Sequence, residues 1–281
     1  MWKHKLCLGT SGSFGLSVPE QIKLFKEIGF DGFFTGWSRG CGIKEWKASA
    51  DELGMIYQSV HAPFHYAAKM WRRSEEADAA VDDLLACLRD CAENEVPVMV
   101  MHAYIGFDSS TPTQEGIEIY GKVVAEAERL GVKLAFENTE GEPFLAALME
   151  HFGDSEAVGF CWDSGHEMCY NRSVDLLALY GKKLICTHLH DNLGIKAYDG
   201  TITWHDDLHL LPFDGIADWQ GIAARLEREG FTGELTLELS TVSKPGRHEN
   251  DIYAKMDIVD FLAEAYKRAC RVAALRGGSA L

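Results

Sequence analysis

The chain has 281 residues, 47% of them hydrophobic, and carries 27 Lys and Arg against 43 Asp and Glu, a formal net charge of −16. That balance argues against broad, non-specific binding to nucleic acid or to an anionic membrane, both of which need a basic face. No run of ~18 uncharged apolar residues offers a membrane span, and the opening MWKHKLCLGTSG lacks the apolar stretch of a secretion signal. The expectation is a cytoplasmic protein. Its eight cysteines, with no CxxC pair among them, read as buried reduced thiols and not as a disulfide framework.

Short apolar runs alternate with longer amphipathic stretches. A strand at 5–8 leads to a helix over 18–28, with Ser17 as N-cap, Pro19 in the first turn and Gly29 at the end. A strand at 32–34 and a helix at 43–53 follow, then a strand at 55–60 and a long helix at 75–93. Next come a strand at 98–101 and a helix at 113–130 that stops at Gly131, then a strand at 133–136 and a helix at 144–152. A strand at 158–161 precedes a short helix at 174–180. The last units are a strand at 183–189 with a helix at 218–229, and a strand at 234–239 with a helix at 251–275. Residues 191–216 form the longest loop, and long loops in compact domains are often functional.

Eight strands, each followed by a helix, predict parallel strands joined by right-handed crossovers. Such a barrel takes about 250 residues, so eight units spread over 1–281 predict one α/β domain, a single (β/α)8 barrel. An open doubly wound sheet would carry a Gly-rich phosphate loop after its first strand. Gly9-Thr10-Ser11-Gly12-Ser13 matches neither GxGxxG nor GxxxxGK[ST].

The residues at the ends of these strands carry the chemistry. His61, His102, Glu137, Asp163, His188 and Glu238 fall at or near the C-terminal ends of six consecutive strands. A parallel barrel gathers those ends at one mouth, where barrel enzymes act. Each residue alone has an ordinary structural reading: a satisfied polar group, a loop contact, or, for Asp163, a helix N-cap. Together they put carboxylates among apolar strands with no Lys or Arg at equivalent positions, so a divalent cation is the natural counter-charge. Asp163 and His166 share one turn, and Asp207 and His209, two apart in the long loop, would face one way if extended. The aromatics Phe34, Trp37, Phe64, Tyr66, Tyr104 and Trp162 fall near predicted mouth loops and form either a wall for a substrate ring or ordinary packing. Lys196, Lys244 and Arg247 read as solvated charge.

These motifs are Val60-His61-Ala62-Pro63-Phe64, Met101-His102, Phe136-Glu137-Asn138, Trp162-Asp163-Ser164-Gly165-His166, His188-Leu189-His190-Asp191-Asn192, Asp207-Leu208-His209 and Leu237-Glu238. In this order the chain resembles the xylose-isomerase-like TIM-barrel superfamily. That group includes sugar phosphate isomerases and epimerases and the related type-IV apurinic endonucleases. For sugar-isomerising members the resemblance implies one divalent ion (Mn, Zn, Co or Mg) held by Glu137, Asp163, His188 and Glu238. It also implies acid–base roles for the two glutamates and a substrate oxygen held by His166, with Trp37 and Phe64 against the substrate. For the endonucleases it implies a multinuclear zinc site that also uses His61, His102, His166, Asp207 and His209. Two positions depart from the ketose 3-epimerases. Gly194 stands where they carry Arg, and Pro143, beside Glu142, stands where they carry a second Glu.

The expected function is metal-dependent isomerisation or epimerisation of a small sugar, sugar phosphate or related polyol in carbohydrate metabolism. Proton abstraction alpha to a carbonyl, through an enediolate, is the expected chemistry. The alternatives are a zinc-cluster apurinic endonuclease and a metal-dependent dehydratase of a cyclic hydroxy acid. A small carbohydrate-like substrate, no membrane, no nucleic acid in the leading reading, and a homo-oligomer are the expected partnerships.

Overall fold

The computed structural model describes residues 4–276 other than residue 109. The first three strands are β1 (Leu6–Gly9), β2 (Gly32–Gly36) and β3 (Ile56–His61), followed by β4 (Val98–His102) and β5 (Lys133–Glu137). The set ends with β6 (Val158–Asp163), β7 (Leu184–His188) and β8 (Leu235–Leu237). The helices between and after them are α1 (Val18–Ile28), α2 (Ile43–Leu53), α3 (Glu75–Glu93), α4 (Gln114–Leu130) and α5 (Glu142–Phe152). They continue with α6 (Ser164–Cys169), α7 (Leu176–Tyr180), α8 (Trp219–Arg228) and α9 (Ile258–Leu275). The strands pair in parallel in the order β7-β6-β5-β4-β3-β2-β1-β8. Leu189 closes the ring beyond β7, with its N–H donating to Thr236 O at 2.8 Å and its carbonyl accepting from Glu238 N at 3.1 Å. The result is the (β/α)8 barrel expected from the alternation.

Local chemistry sets the element ends. Ser17 and Glu20 form a capping box at α1, with Pro in the first turn. Gly141, at φ 86°, starts α5 at Glu142, two residues before the expected start. Asp257 caps α9 by accepting from Val259 N at 2.8 Å, so that helix starts at Ile258 and not at 251. β8 is shorter than expected, and a helix not foreseen as a distinct element, α6, follows β6 directly. All eight cysteines are free. Among the described residues no helix is long and apolar enough to cross a membrane.

The core has two layers. Met99, Met101, Leu134, Phe136, Phe160 and Trp162 belong to the large cluster between strands and helices. Val98, Val100, Ala135, Cys161 and Cys186 form a small separate cluster. Strand side chains alternate faces, so this second set fills the barrel interior with small residues, leaving room for what lies above it.

Candidate metal centre

Extending each interior row by one more step of two residues reaches His102 on β4, Glu137 on β5, Asp163 on β6 and His188 on β7. The same period that packs the lumen therefore delivers these four side chains to the mouth. His61 ends β3, and Glu238 follows β8. His61, His102, Glu137, His166, Asp207, His209 and Glu238 line a cavity of about 530 Å³. Asp163 and His188 lie beneath it, fully buried.

Glu137 sits at the centre. Its Oε1 lies 2.8 Å from His188 Nδ1, and its Oε2 lies 3.1 Å from His61 Nε2 and 3.3 Å from His102 Nε2. His188 Nδ1 is also 3.1 Å from Glu238 Oε2. Asp207 Oδ2 lies 2.9 Å from His209 Nε2 and 3.6 Å from His166 Nε2.

The tautomers follow from the partners. His61, His166, His190 and His209 place Nδ1 against the backbone carbonyls of Ala62, Asn138, Asp191 and Glu238, at 2.9, 3.0, 3.3 and 3.3 Å. A carbonyl only accepts, so each Nδ1 carries the hydrogen and each Nε2 presents a lone pair. Those Nε2 atoms face carboxylates, which repels unless a proton or a cation lies between them. Histidines that ligate metals are held in this way, with the other ring N–H given to a carbonyl. Five atoms in the cluster are buried without a hydrogen-bond partner: His102 Nδ1, Asp163 Oδ2, His188 Nε2, His190 Nε2 and Asp207 Oδ1. Buried orphans are costly and call for an explanation.

Charge is concentrated here. Burial opposes charge on His188, yet Glu137 and Glu238 hold its pKa well above the ordinary value. Burial likewise opposes charge on His166, and Asp163 and Asp207 override it. Asp207 brings His209 to about 9 against the same opposition. Burial would raise Glu137 and Asp207, but the surrounding imidazoles hold both well below the usual carboxylate range. His102 moves down, because burial outweighs Glu137. Among the described residues, Lys244 is the only Lys or Arg paired with these carboxylates, its Nζ 3.5 Å from Asp207 Oδ2.

Three sets place one donor atom per residue within 4.8 Å of one another: Glu137, Asp163, His188 and Glu238; His61, His102 and Glu137; and His166, His190, Asp207 and His209. A fourth set, Glu137, Cys161 and His188, overlaps the first. The imidazole, carboxylate and orphan-atom inventory fits a divalent ion such as zinc, manganese or cobalt.

Residues outside these sets aim them. Asn138 spans β5 and β6, accepting from Asp163 N at 2.8 Å and donating to Asp163 O at 2.9 Å. Asp191 takes four N–H donors onto its carboxylate: Asn192 N, Ala217 N, Phe213 N and Trp219 Nε1, at 2.8 to 2.9 Å. That anchors both ends of the long loop that carries Asp207 and His209. Asp163 is also the N-cap of α6, accepting from His166 N at 2.6 Å. The N-cap reading is therefore borne out, and the same carboxylate also stands within the cluster of donor atoms.

Of the aromatics read as a wall, Phe34, Trp37 and Phe64 line the cavity, with Phe64 stacked on His102 at 4.4 Å. Tyr104 packs on Phe144, Trp162 is buried against Glu167, and Tyr66 stands outside the mouth cavity. Trp204, Tyr170, Glu140 and Lys244 complete the wall. Lys244, read as solvated, instead faces Asp207. Arg247 is buried between Asp206 and Glu249, at 2.7 and 2.8 Å. His190 sits in the strand-seven motif, but its orientation depends on contacts with β6 and α6 that no local pattern encodes.

A parallel barrel with a His- and carboxylate-rich cluster at its C-terminal mouth defines the class: a (β/α)8 protein whose site is built from strand ends. The chain belongs to the xylose isomerase-like TIM barrel family, whose profile matches residues 22–264. It is 39% identical to the uncharacterized protein y4fM of Sinorhizobium fredii (strain NBRC 101917 / NGR234), over 90% of this chain and 92% of that one. Among solved structures, it is similar to a D-psicose 3-epimerase in the presence of D-fructose, with TM-score 0.69, 16% identity, and 96% and 99% of the two chains covered. It is also similar to an IolI protein with a zinc atom, with TM-score 0.72, 16% identity, and 96% and 98% covered. At these identities the likeness is one of fold.

Proposed function

We propose that this protein is a divalent-metal-dependent isomerase or epimerase of a small sugar, sugar phosphate or related polyol. The observation that carries the reading is the set Glu137, Asp163, His188 and Glu238, converging within 4.8 Å at the floor of an aromatic-walled cavity. The fold it shares with a D-psicose 3-epimerase and with a zinc-bound protein supports it.

A divalent ion held by these four residues would supply positive charge against the oxygen that becomes anionic when the neighbouring C–H is deprotonated. Glu137 has both oxygens against imidazoles and acts as the fixed anion of the set. Glu238 keeps 27% side-chain exposure and pairs through Oε2 with His188. It therefore faces the cavity and takes the proton alpha to the carbonyl. Return of a proton to the opposite face gives an epimer; return to the adjacent carbon gives aldose–ketose isomerisation. Phe34 stacks on His188 at 4.5 Å and holds that ring in plane. Phe64, Trp37 and Trp204 offer apolar faces to a sugar ring. Eight free thiols are consistent with work in the cytoplasm.

Solvent deuterium exchange at the carbon alpha to the carbonyl, across a panel of ketoses and ketose phosphates, tests this reading. Glu238→Gln is expected to slow exchange by about 10²–10⁴-fold in a folded protein. Full activity in that variant would refute the assignment. A second reading, phosphodiester cleavage at abasic sites by a multinuclear zinc centre, is favoured by one observation. All nine residues implied for that chemistry fall into the three sets. The net charge of −16 counts against it. Cleavage of abasic DNA without exchange on any sugar would select it.

A further inference from the structure

We propose that Glu140 is a substrate-binding residue, whose carboxyl group takes a free hydroxyl of the bound molecule on the cavity wall that follows β5. The proposal rests on the reading of the cavity as a site for a polyhydroxylated substrate. It adds which group of that substrate this wall accepts.

Glu140 lines the same cavity as Glu137 but belongs to none of the four donor sets. It is only 8% exposed. Its Oε1 accepts from Gly106 N at 3.0 Å, and among the described residues that is the only hydrogen bond its side chain makes. Two carboxyl oxygens offer about four acceptor positions, so most of that capacity is unused. The cation that lines the cavity, Lys244, follows β8 and pairs with Asp207 instead. Leaving a buried carboxyl without a cation is costly, and such groups gather at functional sites. Burial raises its pKa, and the N–H groups that face it offset only part of that. A carboxyl of this kind suits an alcohol, which both donates and accepts.

The chain on either side of Glu140 is tied down. A Cβ on Gly141 would stand 2.7 Å from Tyr104 Cδ1 and 2.9 Å from Phe144 Cδ2, so glycine alone fits against that ring pair. On the other side, Thr139 Oγ1 donates to Tyr104 O at 2.8 Å, and Thr139 O accepts from Asn171 Nδ2 at 2.9 Å. Gly106, which supplies the N–H, has φ 138°, a conformation that residues with side chains rarely adopt. The segments that follow β4, β5 and α6 thus hold one another around Glu140. A binding group fixed in this way needs no reordering when its ligand arrives.

The substrate class narrows accordingly. The part of the molecule against this wall carries a hydroxyl and not a phosphate or carboxylate, because an anion there would meet a buried carboxyl group. An anionic group, where the substrate has one, belongs on the Lys244 side of the cavity. A residue that served only to hold Gly106 would impose no such choice.

The test is titration calorimetry on the full, metal-loaded chain, which reads binding without turnover. The probes are D-fructose, D-psicose, D-tagatose and sorbitol, with the monodeoxy derivatives of the three ketoses. The parent is expected to bind at least one ketose and to lose about tenfold or more in affinity when one particular hydroxyl is removed. Glu140→Gln keeps an oxygen for Gly106 N, so its melting temperature and metal content should match the parent's. Its affinity for the ketose and for that deoxy derivative should become nearly equal, since comparing variant with analogue isolates the one contact. Glu140→Asp, which keeps the acid but shortens its reach, should blunt the same discrimination. Undiminished discrimination in both variants would overturn the proposal, as would a parent that binds none of the probes or is indifferent to every deoxygenation. A uniform loss across all ligands, with a lowered melting temperature, would reduce Glu140 to a structural pin and overturn it too. Solvent deuterium exchange on the same ketoses separates this from the isomerase reading. Glu140-dependent binding without exchange would sink isomerisation alone, and exchange with Glu140-independent binding would sink this proposal alone.

Discussion

Glu137 Oε1 and His188 Nδ1 meet at 2.8 Å with both side chains withdrawn from solvent. Removing one partner of a buried charge pair leaves the other uncompensated, which costs about 3–5 kcal/mol. Glu137→Gln is therefore expected to lower the stability of chelator-treated protein by about that amount and to weaken metal binding. Urea unfolding checks the first effect, and an unchanged midpoint would contradict the pairing.

The imidazoles predict opposite pH trends with and without metal. His209 is brought to about 9, above its ordinary 6.5. A raised pKa contributes stability that is fully present below the unfolded value and is lost as pH rises through the folded one. Chelator-treated protein should thus lose stability from His209 between pH 6.5 and 9. Metal must displace those protons, so uptake should strengthen over the same window and release protons on binding. Thermal melts with and without EDTA, and calorimetry in buffers of different ionisation enthalpy, read both trends. Parallel pH profiles would be the contrary result.

Asp191 accepts four N–H donors with its two oxygens. Asp191→Asn replaces one oxygen by an NH₂ that cannot accept, stranding donors from Phe213 and Trp219 or from Asn192 and Ala217. The expected loss is about 2–4 kcal/mol, with metal content reduced because the loop bearing Asp207 and His209 is no longer anchored. Calorimetric unfolding together with metal analysis would test this. A variant as stable as the parent would show that the loop is held elsewhere.

Gly116 lies inside α4, where alanine would ordinarily gain about 1 kcal/mol. Its Cβ, however, would stand 2.2 Å from Trp71 Cε3, a buried ring whose Nε1 donates to Ala103 O at 2.9 Å. Overpacking of about 1–3 kcal/mol should exceed the helical gain. Gly116→Ala is expected to lower the melting temperature, and a rise would mean that Trp71 yields without cost.

Much of the candidate site's convergence is legible in the sequence. His102, Glu137, Asp163 and His188 stand where the strand period ends, and the barrel order brings all strand ends to one mouth. The aromatic wall was only half legible. Tyr104 and Trp162 lie near the same mouth as Phe34 and Phe64, but one packs on Phe144 and the other turns to the helix layer beside Glu167. A strand residue one step out of phase points away from the lumen, and a loop residue has no phase at all. Lys244 and Arg247 were misread for that reason, since both sit on a loop whose path the strands do not dictate.

The amino-acid order by itself determined the eight-unit alternation, the parallel barrel and the residues at its strand ends, because those follow from periodicities of two and 3.6 residues and from short connections. Tertiary structure alone decided how the donors divide into sets, and that His190 joins Asp207 and His209. Those relationships arise where the chain beyond β7 folds back across the mouth, and there the geometry is set by contacts between residues distant in sequence, such as Asp191 with Trp219 and Gly165 with His190.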